Sequence, residues 1–294
     1  MSSDNRRPGG AYTALVTPFN EDGSDVDVAA LVAHAQWVHE RSRAGLVLFG
    51  TTGEGPWLSL DEQSRCLTAL AEVGLLSSTI VAITTQALPD TTALARMLRG
   101  SAAQGVLALP PYYFGADRTS ALPRYFETVA QVCELPVLGY HIPKHAPPIA
   151  LADISDGPLV GVKDSGGDPS YSGHVRATGG CVLWGSESVV PNPVDGFVSA
   201  SGNVVPELVV PTTTDLVAGR TDTQAQRRMA AVRRLSGGSS RPWLLKRLAQ
   251  QRHGVELGPC RPPSAPGTAP PLADVLAAAG IEEPARIEGA VSDG

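Results

Sequence analysis

A single lysine at the end of an apolar run carries the strongest chemical signal in the sequence. Lys163 directly follows the apolar residues 159–162 and precedes Asp164. If the run is a buried strand, the lysine lies at the strand's end, where removal from water favours the neutral amine. A neutral amine attacks the carbonyl carbon of a ketone. The alternative is a lysine that only reaches solvent beyond the strand.

Hydroxyl-bearing side chains follow three other apolar runs. Residues 50–54 have the sequence GTTGE, and two threonines between glycines suit either a small anion, bound through N–H and O–H groups, or a tight turn. Tyr140 ends the run 137–140 and can act as a general acid or base. Tyr112 and Tyr113 follow two prolines, which favours either a proton relay or an aromatic contact with a neighbouring subunit.

Motifs for several other chemistries are missing from the sequence. It contains no Gly-x-Ser-x-Gly elbow, no GxxxxGKS or GxxxxGKT loop and no GxGxxG after the first predicted strand, which disfavours hydrolase triads and nucleotide-binding folds. Pro143 separates His141 from His145, so they do not form a helical metal-binding pair, and we predict no metal site. The cysteines form no CxxC pair, and we expect buried, reduced thiols at Cys66, Cys133 and Cys181.

The composition is that of an ordinary globular protein with an acidic balance. The chain has 294 residues, 43% of them hydrophobic, and a formal net charge of −6, which disfavours a nucleic-acid partner. We interpret the clustered Arg227, Arg228, Arg233 and Arg234 as a solvated helix face. Apolar runs stay below the roughly 20 residues that a membrane helix needs. No apolar segment follows the N-terminal arginines, so we expect no secretory signal, no membrane partner and a cytoplasmic protein.

Eight short apolar runs alternate with helical patterns along the chain. We predict buried parallel strands at residues 14–16, 46–49, 80–83, 106–109, 137–140, 159–162, 182–184 and 197–200. Helical spacing lies between most of them, and Ser59 with Glu62 forms a capping box before one such stretch. Eight units in about 250 residues predict an α/β fold, a (β/α)8 TIM barrel, and a doubly wound open sheet is the alternative.

The remaining segments predict the domain organisation. Prolines crowd the connections after the fifth and seventh strands, so we expect shortened helices there. Helical patterns at 206–218, 222–235, 242–251 and 272–279 predict an appended C-terminal helical layer. We therefore predict a flexible N-terminus at 1–10, the barrel at 11–218, a C-terminal helical region at 219–280 and a mobile tail at 281–294.

Four motifs in register resemble one enzyme family. They are GTTGE, PYY, YxxP and apolar-Gly-x-Lys-Asp, and they end predicted strands two, four, five and six. The chain resembles the dihydrodipicolinate synthase / N-acetylneuraminate lyase family of pyruvate-dependent class I aldolases. The resemblance runs from GAYTALVTPF at residues 10–19 to the helices after the eighth strand.

The resemblance implies a role for each catalytic residue. Lys163 is expected to form a Schiff base with the C2 ketone of pyruvate or another 2-oxo acid, and Tyr140 to shuttle protons. Thr51 is expected to link Tyr140 to Tyr113 in a hydroxyl relay. In the family the tyrosine matching Tyr113 comes from a neighbouring subunit, which implies a homodimer or homotetramer.

The resemblance also implies the binding residues and partners. Thr52, with Gly53, is expected to hold the 2-oxo acid carboxylate, and Gly185 and Val198 are expected to line the pocket near the lysine. The partners implied are a small 2-oxo acid and an aldehyde. The lysine supplies the covalent chemistry, so neither a metal nor an organic cofactor is expected.

Departures from the family pattern affect which aldehyde the chain is expected to take. Dihydrodipicolinate synthases place an arginine two residues after the YxxP proline, where this chain has His145. An imidazole does not replace a bidentate guanidinium. The extension Gly166-Gly167-Asp168 resembles the 4-hydroxy-2-oxoglutarate aldolase branch. The prediction is therefore a 4-hydroxy-2-oxo acid aldolase. The alternatives are a 4-hydroxy-tetrahydrodipicolinate synthase, an imine-dependent hydratase or dehydratase, and a 2-oxo acid binding protein without catalysis.

Overall fold

Eight parallel strands close into a barrel in chain order. The computed structural model describes residues 7–113, 121–187, 194–236 and 241–282. The strands are β1 (Gly10–Ala14), β2 (Gly45–Leu48), β3 (Thr79–Ile83), β4 (Gly105–Ala108), β5 (Val137–His141), β6 (Leu159–Asp164), β7 (Cys181–Trp184) and β8 (Gly196–Ser199). The register Gly10↔Gly196 joins β8 back to β1. The predicted TIM barrel is confirmed, and the open-sheet alternative is wrong.

Helices cover the barrel and continue beyond its last strand. They are α1 (Val28–Ser42), α2 (Leu60–Glu72), α3 (Leu88–Leu98), α4 (Leu122–Cys133), α5 (Ala152–Ser155), α6 (Pro169–Ala177), α7 (Val209–Val217), α8 (Gln224–Leu235), α9 (Pro242–His253) and α10 (Leu272–Ala279). The capping box predicted at Ser59 and Glu62 starts α2. Within the described residues, each helix is too short or too polar to cross a membrane.

Apolar side chains pack in two layers, one inside the barrel and one between strands and helices. Leu107, Leu138, Tyr140, Leu183 and Val198 belong to the inner cluster. Their strand neighbours on the opposite face belong to the outer cluster, which includes the helix residues that cover the barrel. Because both faces of the sheet are covered, the strands show no polar alternation. Cys66, Cys133 and Cys181 are buried free thiols, as predicted.

The first strand begins and ends earlier than predicted. We expected it at residues 14–16, whereas β1 spans Gly10–Ala14. Pairing with β2 and β8 sets its register, which the apolar pattern alone does not report. Leu15 and Val16 are buried after the strand, and the Val16 N–H donates to Asn203 Oδ1 at 3.0 Å.

Prolines predicted shortened helices in two connections, and the prediction is confirmed for the one after β5. The four-residue α5 is the helix between β5 and β6. The connection between β7 and β8 is described at residues 185–187 and 194–195 and forms no helix there. Pro191 and Pro193, on which the prediction depended, lie outside the described residues.

Contacts at the two ends bear on the predicted boundaries. Residues 1–6 and 283–294 of the predicted flexible N-terminus and mobile tail lie outside the described residues. Arg7 donates to the Gly179 carbonyl, and the Gly10 N–H donates to the Asp195 carbonyl at 2.8 Å. Ile281 packs against the outer cluster. Residues 7, 10 and 281 thus contact the rest of the described chain, and the domain boundaries stay a prediction.

Candidate active site

An amine and two hydroxyls form a chain at the carboxyl ends of the strands. Lys163 Nζ donates to the Tyr140 hydroxyl at 3.1 Å, and the Tyr140 and Thr51 hydroxyl oxygens lie 3.0 Å apart. Lys163 is 6% exposed and Tyr140 is 2% exposed. The structure thus brings together three of the four predicted catalytic residues, and Lys163 does not reach out into solvent.

The strand register explains why these side chains meet. Tyr140 on β5 and Lys163 on β6 are direct partners across the parallel pair. Partners at the same register position point to the same face of the sheet, here the barrel interior. Lys163 Nζ consequently lies 4.1 Å from the centre of the Tyr140 ring.

The environment of Tyr140 favours proton transfer. Burial by itself would raise the pKa of the phenol, but the positive charge of Lys163 and the hydrogen bond with Thr51 outweigh burial and lower the pKa below 10.0. A phenol with a lowered pKa exchanges its proton more readily near neutral pH. Tyr140 is therefore suited to act as a general acid and base.

Thr51 lies in a tight turn between β2 and α2, which we call the 50–55 turn. The Gly50 carbonyl accepts hydrogen bonds from the N–H groups of Gly53 and Gly55, each at 3.1 Å. Thr17 Oγ1 donates to the Gly53 carbonyl at 2.7 Å. A Cβ at position 53 would lie 2.8 Å from a backbone oxygen, so this position requires glycine.

The two threonines of the turn differ in their exposure to solvent. Thr52 is buried, and Thr51 is exposed toward the open end of the barrel. The backbone on either side is unusual, since Phe49 and Glu54 have φ values of 57° and 54°. Residues other than glycine rarely adopt this left-handed backbone conformation outside functional sites and special turns.

Gly185 lies beside the lysine, and the expected place of Val198 in the pocket wall stays a prediction. An added Cβ at position 185 would approach Ser165 Oγ to 2.4 Å and Lys163 Cε to 3.4 Å. The Gly185 N–H donates to the Asp164 carbonyl at 2.7 Å. Val198 is buried inside the barrel. A side chain at position 185 would therefore force Ser165 to move and would contact the lysine stem.

Tyr113 does not join the other catalytic candidates within one chain. It follows β4, and its side chain is 79% exposed. Its N–H lies 3.3 Å from Gln86 Oε1. So exposed a side chain is not packed with the buried Lys163 and Tyr140.

His145 lines a groove that opens beside Thr51. The groove has a volume of about 470 Å³, and its other walls include Trp57, Leu109 and Tyr112. Burial and the neighbouring charge of Lys144 lower the pKa of His145 below 6.5. The imidazole is therefore mainly neutral at pH 7.

The His141 side chain packs on the outer face of the barrel. Its ring stacks on Tyr171 with centroids 3.8 Å apart, and its Nδ1 accepts from the Ile149 N–H at 3.3 Å. In the ranges that the structure describes, no three His, Cys, Asp or Glu side chains are grouped as metal ligands. Asp168 caps α6, with its Oδ1 accepting from the Ser170 N–H at 2.9 Å.

Two buried carboxylates near the strand ends were missed in the sequence. Glu54, inside the GTTGE motif, pairs with Lys246 of α9 at 2.8 Å. Glu187, just after β7, accepts from Ser199 Oγ at 2.6 Å and from the Ser201 N–H at 2.8 Å. Arg233 lies 3.4 Å from Glu187 and is 18% exposed, so the prediction of a fully solvated arginine face is wrong there.

Comparisons with known proteins find relatives over most of the chain. Residues 7–277 match the model of the dihydrodipicolinate synthetase family. The chain is 31% identical over 293 residues to 4-hydroxy-tetrahydrodipicolinate synthase of Acidothermus cellulolyticus, covering 94% of each. It is 34% identical over 218 residues to an uncharacterised DapA-like lyase of Halobacterium salinarum, covering 68% of this chain and 69% of the relative.

A solved structure of similar fold is the 2-keto-3-deoxygluconate aldolase of Sulfolobus solfataricus in complex with D-KDPG. It matches with a TM-score of 0.80 and 25% identity, covering 93% of this chain and 95% of the other.

Proposed function

Because the chain belongs to the dihydrodipicolinate synthetase family, we propose that it is a class I aldolase acting on pyruvate or a related 2-oxo acid. Lys163 forms an imine with the acid, and a carbon–carbon bond to an aldehyde is then made or broken. The observation that carries the proposal is the hydrogen-bonded chain of Lys163 Nζ, the Tyr140 hydroxyl and Thr51 Oγ1, in which the lysine and the tyrosine are buried.

Imine formation starts when the Lys163 amine attacks C2 of the 2-oxo acid. The carbinolamine loses its oxygen as water, and the Tyr140 hydroxyl, 3.1 Å from Nζ, supports delivery of the required proton. The cationic imine withdraws electrons from C3. The Tyr140 phenolate, left when the hydroxyl gave up its proton, takes a proton from C3, and a neutral enamine and the Tyr140 hydroxyl result.

Carbon–carbon bond formation uses the enamine as the nucleophile. C3 adds to the aldehyde carbonyl carbon, the imine is regenerated, and the new alkoxide takes a proton from Tyr140. Water then hydrolyses the imine and returns the free lysine. The reverse sequence cleaves a 4-hydroxy-2-oxo acid into the 2-oxo acid and the aldehyde. These steps need neither a metal nor an organic cofactor, since the electron sink is the imine itself.

Thr52 and Gly53 of the 50–55 turn hold the carboxylate of the 2-oxo acid. Thr51, next to Thr52 in the turn, is exposed, and its hydroxyl lies 3.0 Å from the Tyr140 hydroxyl, which supports a carboxylate site beside the reacting amine. Gly185 and Val198 complete the wall around the imine. The small residue at position 185 leaves room for the substituent on Nζ.

Tyr113 acts in a second copy of the chain. Its exposure in one chain suits a phenol that completes the relay of Thr51 and Tyr140 in a neighbouring subunit. The protein is therefore a homodimer or a homotetramer built from such dimers. A dimer is the smallest assembly that completes the site.

His145 selects the aldehyde. Relatives named 4-hydroxy-tetrahydrodipicolinate synthase suggest a carboxylated aldehyde as the acceptor. A mainly neutral imidazole at position 145 is, however, a poor partner for such an aldehyde. We therefore favour cleavage of 4-hydroxy-2-oxo acids over use of the aldehyde acceptor of those synthases. The structural neighbour that is a 2-keto-3-deoxygluconate aldolase supports this choice.

Release of the 2-oxo acid from a panel of 4-hydroxy-2-oxo acids tests the proposal. We expect wild-type protein to release pyruvate from at least one of them, and Lys163→Ala to release none. Unchanged release by Lys163→Ala would contradict the mechanism. Reversible binding of pyruvate by both proteins, without turnover in either, would identify a binding protein instead.

A further inference from the structure

We propose that Lys246 is a positioning residue: through its ion pair with Glu54 it holds the 50–55 turn in the shape that imine formation requires. The inference rests on the proposed function, because the turn carries Thr51 and Thr52. It assigns a catalytic consequence to the C-terminal helices, which lie outside the barrel strands.

The pair between Lys246 and Glu54 is fully enclosed. Lys246 Nζ lies 2.8 Å from Glu54 Oε1, and the side chains are 2% and 0% exposed. Lys246 Nζ also donates to the Pro259 carbonyl at 2.8 Å. It lies 4.2 Å from the centre of the Phe19 ring. The charge of this lysine is thus directed into the protein, toward the turn.

A buried ion pair of this kind is poorly explained by stability alone. Removing two charges from water offsets much of their attraction, and apolar pairs of similar volume often serve stability equally well. What the pair adds is a fixed position, since the buried carboxylate is held 2.8 Å from one ammonium. Glu54 is therefore fixed in space by a residue of α9.

The segment at residues 258–261 fixes the other oxygen of the same carboxylate. The Arg261 N–H donates to Glu54 Oε2 at 3.0 Å. The Arg261 guanidinium donates to the Trp57 carbonyl at 2.7 Å and also pairs with Glu62 of α2. Residues 258–261 therefore contact both the turn and the residues that follow it.

Fixing Glu54 fixes the hydroxyls of the turn. Glu54 is separated from Thr51 by two residues, and its N–H donates to the Thr51 carbonyl at 3.2 Å. Its left-handed backbone, with a φ of 54°, is a conformation that a non-glycine residue keeps only when its surroundings enforce it. Without the pair, the turn can relax, and Thr51 moves relative to Tyr140.

The consequence is a specific loss in chemistry. A displacement of about 1 Å at a reacting group can lower a rate by about 100-fold. We expect loss of Lys246 to slow imine formation and to weaken binding of the 2-oxo acid. Global stability is a separate quantity, and a second buried pair on the same helix allows the two to be compared.

Arg252 provides the matched control. It is also on α9, its side chain is 1% exposed, and it pairs with Glu207 at 2.8 Å. It also donates to the Val204 carbonyl. These contacts hold α9 against the segment after β8, and they do not involve the 50–55 turn. Arg252→Met therefore removes a comparable buried cation at another place.

The main variant is E54Q/K246M, which removes both charges and leaves no unpaired buried ion. Stopped-flow measurement of imine formation at saturating pyruvate, with a pyruvate titration, is compared in wild type, E54Q/K246M and R252M. Folding of each is checked by circular dichroism. We expect imine formation to slow at least about tenfold in E54Q/K246M and to stay within about threefold in R252M, because only the first variant releases the turn.

Three results would overturn the inference. Equal rates and affinities in folded E54Q/K246M and wild type would show that the pair does not position the turn. Failure of E54Q/K246M to fold would assign the pair to folding. Equal slowing in R252M would make the effect one of general stability. Absence of an imine in wild-type protein with any 2-oxo acid would instead refute the proposed function, and with it this inference.

Discussion

Replacement of Tyr140 by phenylalanine removes one oxygen from the centre of the proposed site. That oxygen accepts from Lys163 Nζ at 3.1 Å and lies 3.0 Å from Thr51 Oγ1. The ring itself belongs to the inner cluster and is retained in phenylalanine. The change therefore separates proton transfer from packing.

The expected loss follows from the position of this hydroxyl. General acid–base catalysis by a positioned group contributes about 10²–10⁴ in rate, and no second hydroxyl lies as close to Lys163 Nζ among the described hydrogen bonds. We therefore expect Tyr140→Phe to lower turnover by about 10²–10⁴. The free energy of unfolding should fall by about 1–3 kcal/mol, because the contacts with Lys163 and Thr51 are lost and the buried lysine loses its acceptor.

Two assays on the same samples distinguish the steps. Exchange of the C3 protons of pyruvate with deuterated water, followed by NMR, reports proton transfer after the imine has formed. Borohydride trapping reports the imine itself. We expect exchange to fall by the full factor and trapping to persist in part.

Tyr12→Phe is the matched control. Tyr12 also lies in the inner cluster, and its hydroxyl donates to Gln104 Oε1 at 2.8 Å, at the opposite end of the barrel. This variant should exchange C3 protons at the wild-type rate. If Tyr140→Phe also exchanged them at that rate, the assignment of Tyr140 as the proton-transfer group would be refuted.

Three further predictions concern position 145, the pH dependence of C3 exchange and the stability of the protein. His145→Arg should raise kcat/KM for aldehydes that carry a carboxylate over those that do not, and an unchanged ratio in competition assays would show that this position does not select the acceptor. The rate of C3 exchange should rise with pH and level off below pH 10, because the pKa of Tyr140 is lowered, and a profile still rising above pH 10 would contradict this. Burial lowers the pKa of His34 from 6.5 to about 3, so between these pH values the unfolded chain binds a proton that the folded chain does not. The free energy of unfolding, measured with urea, should therefore fall by up to about 1.4 kcal/mol per pH unit from pH 6.5 toward pH 4. His34→Gln should lessen this slope.

The barrel and the central pair of the site were predictable because local pattern reports them. Apolar runs marked every strand to within a few residues, and parallel strands present their carboxyl ends at one edge of the barrel. Lys163 and Tyr140 close two neighbouring runs, so their meeting followed from the fold. The one large shift, in β1, arose because pairing with β2 and β8 sets its limits.

The buried carboxylates were not predictable because their partners are distant in sequence. Glu54 is part of a motif that the sequence already singled out, but nothing near it indicates Lys246 as its partner. Glu187 likewise meets Ser199, Ser201 and Arg233 only through the closure of the barrel. Such contacts depend on tertiary packing, which periodicity does not encode.

The most direct test of the central claim is borohydride trapping with pyruvate, followed by peptide mass spectrometry. We expect a reduced pyruvate adduct on the peptide that contains Lys163, and none in Lys163→Ala. An adduct on another lysine, or no adduct with pyruvate, 2-oxobutanoate or 2-oxoglutarate in folded wild-type protein, would contradict the claim that Lys163 is the imine-forming residue.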